Sequence, residues 1–281
     1  EFVEYGRDGQ TAYSTDVLND HFDEAIRAAP ADEPFFAVFT PLAPHYEGNK
    51  PFAVPAKRHE DQVNDVLRPP NYDSCRTRDV CAVEGGALNN PELTADQIGI
   101  IDNGYQTASE TLFAVDEAFS RMINTLTELS ELDNTVIVFT SDNGFFYGEH
   151  GITKGKILPG REALFVPLYI RGPGFGDARI EDAPVSNIDL APTIVDVFDA
   201  TPGLDMDGRS LLEVADPDRA LLIQAAKAEP GGGYFGVYAN GWLFYDWVGL
   251  DRNELYASDD PNQLTTLDGD PEWDTFESSL S

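Results

Sequence analysis

Two apolar runs with a glycine-punctuated polar loop between them constrain this chain most. Residues 135–140 read TVIVFT and residues 166–170 read VPLYI. The first is short, β-branched and uninterrupted, the pattern of a strand buried on both faces. It stops at Ser141. The loop that follows sets Asp142 beside Asn143, bends at Gly144, Gly148 and Gly151, and carries His150, Lys154 and Lys156. Hard oxygen donors and cations are thereby gathered beyond the carboxyl end of an expected parallel strand, where open α/β sheets place their ligands.

The segment before this strand predicts a long amphipathic helix. Thr94 and Gln97 have the spacing of a capping box, and Ile98, Ile101, Tyr105, Leu112, Val115, Phe119, Ile123, Leu126 and Leu129 recur at three and four residues as one apolar stripe. Gly104 weakens such a helix by up to about 1 kcal/mol relative to alanine. A shorter helix is expected from Ser14, capped by Ser14 or Thr15 and ending before Pro30. Residues 34–40, PFFAVFT, read as a second buried strand, and His45 follows it in a proline-rich loop. Residues 46–93 show little periodicity, as expected of a segment that covers a site. Further on, Asp189 is placed to cap a helix over LAPTIVDVFDA. Beyond residue 216 the pattern becomes that of antiparallel strands in LLIQAA, GYFGVYAN and GWLFYDW, with Asn240-Gly241 as a hairpin signal and an acidic, loop-like tail.

Charge excludes several classes of partner. Fifty Asp and Glu against 18 Lys and Arg give a formal net charge of -32, spread along the chain. Nucleic acid and anionic membranes are poor partners for such a surface, and adaptation to high salt accounts for it. No run is long and apolar enough to insert in a membrane. In a chain with only five lysines, Lys154 and Lys156 in one loop suggest an anion site, against the alternative of a solvated basic loop. Cys75 and Cys81 are the only cysteines, either a short disulfide loop of an exported protein or two unpaired thiols.

These motifs together resemble the sulfatases of the alkaline phosphatase superfamily, in the branch of the N-acetylglucosamine-6-sulfatases and arylsulfatases. The resemblance rests on TVIVFTSDNGFFYGEHG with KGK and VPLYIRGPG, on PFFAVFTPLAPH with PAKRH, on VSNIDLAPTIVDVF with DGRSL, and on GWLFYDW with NELYASDDPNQL. It implies an α/β fold: a mixed, mostly parallel sheet flanked by helices, with a small carboxyl-terminal antiparallel α+β subdomain. Residues 1–215 would be the carboxyl-terminal portion of the catalytic domain and residues 216–281 the subdomain. Asp142 and Asn143 match the family's metal-binding aspartate and asparagine, for calcium or alternatively magnesium; the other reading of an Asn-Gly pair is a turn. His45 matches a histidine that contacts the sulfate and protonates the departing alcohol. Lys156 matches the sulfate-binding lysine, with Lys154 as the adjacent alternative.

Two departures from the family pattern stand out. Phe165 occupies the place of an arginine before Val166-Pro167, and no Cys or Ser is followed by the Pro and Arg context in which the family forms its formylglycine nucleophile. The expectation is the carboxyl-terminal portion of a sulfatase: the parent cleaves sulfated sugars or aryl sulfates with a formylglycine from an amino-terminal segment, and this portion alone is inactive. The rivals are a phosphate or phosphonate monoester hydrolase of the same superfamily and a non-catalytic module that binds sulfated glycans. Export is expected from the family and the cysteines, while oligomeric state is not addressed by the sequence.

Overall fold

The structure is a computed structural model that describes residues 2–5, 10–46, 50–69, 71–72, 92–226, 232–249, 253–257, 259–260, 262–263 and 266–267. Cys75 and Cys81, and with them the disulfide expectation, lie outside the described residues. The chain divides into two compact units: Glu1–Arg68 with Thr94–Thr135, and Pro69–Leu93 with Val136–Ser281.

In the first unit an antiparallel hairpin, β1 (Phe2–Tyr5) and β2 (Gln10–Tyr13), leads directly into α1 (Ser14–Ala28). Tyr13 rather than Ser14 or Thr15 is the N-cap, and no side chain caps the helix. α2 spans Ala95–Glu128 and begins with the expected capping box: the Thr94 hydroxyl accepts from the Gln97 N–H, and the Gln97 side chain accepts from the Thr94 N–H. Its buried face differs from the expected stripe. Ile101 and Leu126 are buried, but Ala108, Thr111, Ala114, Ala118 and Thr125 line the rest, whereas Leu112 and Leu129 are exposed. Small side chains on this face let α1 approach closely. Asp23 of α1 accepts from the Thr125 hydroxyl, while Arg27 binds both Asp23 and Glu128.

Residues 34–40 form no strand or helix and pair with no strand among the described residues. Phe36 and Val38 are 62% and 63% exposed, so the expected buried strand is not formed. Apolar β-branched sequence favours extended backbone, yet a strand also needs a neighbour to take its N–H and C=O groups.

In the second unit β3 (Ile137–Thr140) pairs antiparallel with β4 (Leu168–Arg171), Ile137 opposite Arg171 and Thr140 opposite Leu168. Burial on both faces is not found, since Val138, Phe139 and Tyr169 are exposed. Between them lies the one-turn helix α3 (Arg161–Leu164), and α4 (Leu190–Val197) follows β4. The carboxyl-terminal strands form an antiparallel meander: β5 (Leu221–Ala225), β6 (Tyr234–Ala239), β7 (Trp242–Trp247) and β8 (Asn253–Tyr256). Asn240 and Gly241, both at positive φ, make the β6–β7 turn as the sequence predicts. β8 falls within the tail expected to be loop. It is held there by pairing with β7 and by Glu254, whose buried carboxylate accepts from Tyr245, Tyr256 and Trp247.

Every strand pair among the described residues is antiparallel, so the parallel neighbours expected for β3 are not found among them. The core of the second unit is Tyr234, Leu243, Tyr245, Trp247 and Tyr256, with Leu158 and Leu164 packed against it. The loop between β3 and β4 therefore rests on the carboxyl-terminal meander.

Candidate active site

β3 ends at Thr140, and the next three residues close a tight polar turn. The Ser141 hydroxyl donates to the Asn143 carbonyl at 2.9 Å, and the Asn143 N–H donates to Asp142 Oδ1 at 3.0 Å. Asn143 Nδ2 donates to the Gly144 carbonyl at 2.9 Å, so the amide nitrogen is engaged by the backbone. The Asp142 side chain is exposed. The turn thus presents a carboxylate and an amide oxygen side by side.

Glycine is required at the next position. The Gly144 N–H donates to the Ala163 carbonyl at 2.9 Å, and a Cβ on Gly144 would lie 1.9 Å from the Glu162 carbonyl oxygen. The loop then doubles back. Phe146 N–H donates to the Gly155 carbonyl, and Gly148 N–H to that of Ile152, both at 2.9 Å. Phe146 is fully buried against Ile152, Ala163 and Leu158, which anchors this fold-back. Gly155, paired with Phe146, lies between Lys154, which is exposed, and Lys156, which is half-buried. The structure so places Asp142, Asn143, Lys154 and Lys156 on one cross-braced loop.

Phe165, the departure from the family pattern, supports the loop through its ring. The Arg161 guanidinium sits 4.0 Å above it, and Tyr238 packs edge-on at 5.2 Å.

His45 belongs to the first unit. Its Nδ1 lies 2.6 Å from the Tyr46 carbonyl and its ring stacks on that of Tyr46 at 4.5 Å. An Nδ1–H that donates to this carbonyl leaves Nε2 as the nitrogen free to exchange a proton.

Sequence reasoning named His150 but missed what surrounds it. His150, at a φ of 54°, is buried with Nε2 3.6 Å from Glu162 and 3.3 Å from Asn71 Nδ2, and its N–H donates to the Asn71 carbonyl at 2.8 Å. Burial works to raise the Glu162 carboxyl, but the His150 ring, a backbone N–H and the Asn71 side chain together outweigh it and hold the carboxyl below the ordinary range. Burial pushes the neighbouring Glu149 carboxyl up. This group ties the loop to residues 71–72. A histidine and two glutamates within one glycine-rich segment were the only signal for it.

Among the described residues no three His, Cys, Asp or Glu side chains are grouped to hold a metal ion. Asp142 and Asn143 fit a hard cation in kind, but calcium takes six to eight oxygens, so they supply a part of such a shell.

The sulfatase family model matches residues 2–200. The chain belongs to the sulfatase family. Sulfatase ppz1 of Metarhizium majus is 34% identical to this sulfatase chain over 207 residues, covering 71% of the chain and 48% of that protein. The N-acetylglucosamine-6-sulfatase of Capra hircus is 30% identical over 215 residues, 75% of the chain and 37% of that protein. The chain therefore spans about half or less of the length of these curated relatives. Among solved structures, BT4656 in complex with its substrate D-glucosamine-2-N,6-O-disulfate is similar with a TM-score of 0.72 at 22% identity, over 97% of this chain and 69% of that one. The alkaline phosphatase-like α/β fold with a carboxyl-terminal antiparallel sheet stands on that likeness, and no described helix is long and apolar enough to cross a membrane.

Proposed function

We propose that the full-length protein hydrolyses a sulfate ester of a sugar or an aryl alcohol. The observation that carries this is the braced turn of Asp142 and Asn143 on the same loop as Lys156, in a chain matched by the sulfatase family model over residues 2–200. In this reading Asp142 and Asn143 hold calcium, or magnesium in its place, which neutralises a sulfate group and polarises its oxygens when bound. Lys156, with Lys154 beside it, pairs with the sulfate oxygens, and His45 Nε2 carries the proton that the leaving alcohol needs. Neither cysteine of these 281 residues lies in a Pro-Arg context, so the nucleophile is assigned to no residue here and residues 1–281 by themselves turn over no substrate. Residues 216–281 are read as a subdomain that supports residues 1–215. The closely spaced Cys75 and Cys81 favour an exported protein, and the excess of acid favours a saline medium.

The test uses the full-length protein with an aryl sulfate and with glucosamine 6-sulfate. Hydrolysis should stop on chelation and return with calcium, and His45→Ala should lower kcat by about 10²–10⁴. Preference for an aryl phosphate or phosphonate over the sulfate would overturn the reading in favour of a sister esterase. Binding of sulfated sugar with no turnover by the full-length protein would instead make it a glycan-binding protein.

A further inference from the structure

The turn that carries Asp142 and Asn143 depends on a residue distant in sequence. Ser141 and Asp142 lie beyond the last paired residue of β3, so their carbonyl oxygens have no ladder partner. Both accept from one amide nitrogen: Asn187 Nδ2 lies 3.1 Å from the Ser141 carbonyl and 3.2 Å from that of Asp142. Asn187 opens a 3-10 turn, Asn187–Asp189, that is itself fixed from below. The fully buried Asp189 accepts from the Ser186 and Arg209 N–H groups, both at 2.8 Å, and from both terminal nitrogens of Arg219 at 2.7 and 2.8 Å. Gly208 allows this packing, since a Cβ there would lie 2.1 Å from the Ile188 carbonyl oxygen. A rigid, buried ion pair thus holds a 3-10 turn in place, and that turn projects a single carboxamide onto the peptide units whose orientation sets Asp142 and Asn143.

We propose that Asn187 is a positioning residue for the divalent-cation site, acting through the Ser141 and Asp142 carbonyls rather than by touching the ion. This rests on the cation reading of Asp142 and Asn143 given above. Asn187 is exposed, and these two hydrogen bonds are the ones its side chain makes among the described residues, so little of the packing depends on it. Its contribution is geometric. Without the amide the two carbonyls turn to water and the Asp142–Asn143 peptide gains freedom, which a bound cation must then remove.

The experiment is calorimetric titration of the full-length protein with calcium alone, together with thermal unfolding in chelator. Wild type is compared with Asn187→Ala, Asn187→Leu and the control Asp142→Ala. Leucine keeps the bulk of asparagine and removes only its donors. The expected result is loss of binding in Asp142→Ala, a decrease in calcium affinity of about 10–100-fold in both Asn187 variants, the size seen for outer partners of metal ligands, and an unchanged melting temperature of the calcium-free protein. Wild-type affinity in the Asn187 variants, with binding lost in Asp142→Ala, overturns the inference and leaves the cation reading intact. A loss of affinity matched by an equal loss of calcium-free stability also overturns it, because Asn187 would then be a fold residue only. Wild-type affinity in Asp142→Ala removes the cation reading and the inference with it.

Discussion

At the scale of single residues, the loop after β3 distinguishes groups that bind from groups that shape. Lys154 and Lys156 have the same chemistry but different settings, one exposed and the other half-buried beside the Phe146–Gly155 pairing. A lysine held in a fixed frame gives up less freedom when it pairs with an anion. Lys156→Gln should therefore raise KM for a sulfate ester several-fold more than Lys154→Gln, as steady-state kinetics of the full-length protein would measure; equal effects would make the pair a diffuse basic patch. Gly144 is a shaping residue. Its missing Cβ leaves room for the Glu162 carbonyl, which is backbone and cannot swing aside, so Gly144→Ala should cost about 1–3 kcal/mol in urea unfolding. Asp142, Asn143 and Lys156 stand out in the sequence because carboxylate, amide and ammonium groups suggest an ion site by their type alone. Asn187 does not, because its role is a contact made 46 residues away.

At the scale of elements, the Asp189–Arg219 pair ties the start of α4 to the segment that enters β5. The sequence marked Asp189 as a helix cap, and its backbone does occupy that position, but its carboxylate caps no helix N–H. It serves Ser186, Arg209 and Arg219 instead. Burial works to raise the Asp189 carboxyl, yet Arg219 and the two backbone donors overcome that and hold it below the ordinary 3.8. A depressed folded-state value means stability that is present above the unfolded value and lost as pH falls through the folded one. Arg219→Ala, which strands the buried carboxylate, should cost about 3–5 kcal/mol at neutral pH. The difference between wild type and Arg219→Ala should shrink as pH falls, first as the carboxyl that has lost Arg219 takes up its proton in the variant and then as Asp189 does so in wild type, when denaturant unfolding is followed across pH. A difference that stays constant with pH would mean the loss is one of packing. Helices and hairpins were legible here because their signals are local: the Thr94–Gln97 box and the Asn240–Gly241 turn both form. Residues 34–40 were misread because pairing needs a second strand, which no local pattern reports.

At the scale of the whole molecule, the charge decides which environment the fold suits. The net charge of -32 opposes compaction, and the ion pairs that offset it lie largely at the surface: Arg58 with Asp16 and Glu117, Arg121 with Asp20 and Asp23, and Arg209 with Asp216. Salt weakens attraction and repulsion alike, so their relative size sets the sign of its effect. Exposed pairs contribute about 0–1 kcal/mol each, and only a handful among the described residues stand to be screened. Repulsion, by contrast, acts among 50 acidic residues, and it reaches over a screening length of about 10 Å at 0.1 M salt but only about 3 Å at 1 M. Repulsion outweighs the pairs. The melting temperature of the protein should therefore climb steadily as potassium chloride is raised from low to molar concentration, with the steepest gain where the screening length falls below the spacing of surface carboxylates. The buried Asp189–Arg219 pair, shielded from solvent, should contribute the same at both ends, so the cost of Arg219→Ala should not change with salt. A melting temperature that stays level or falls would mean that the surface pairs outweigh the repulsion, and that the acidic surface answers a need other than salt.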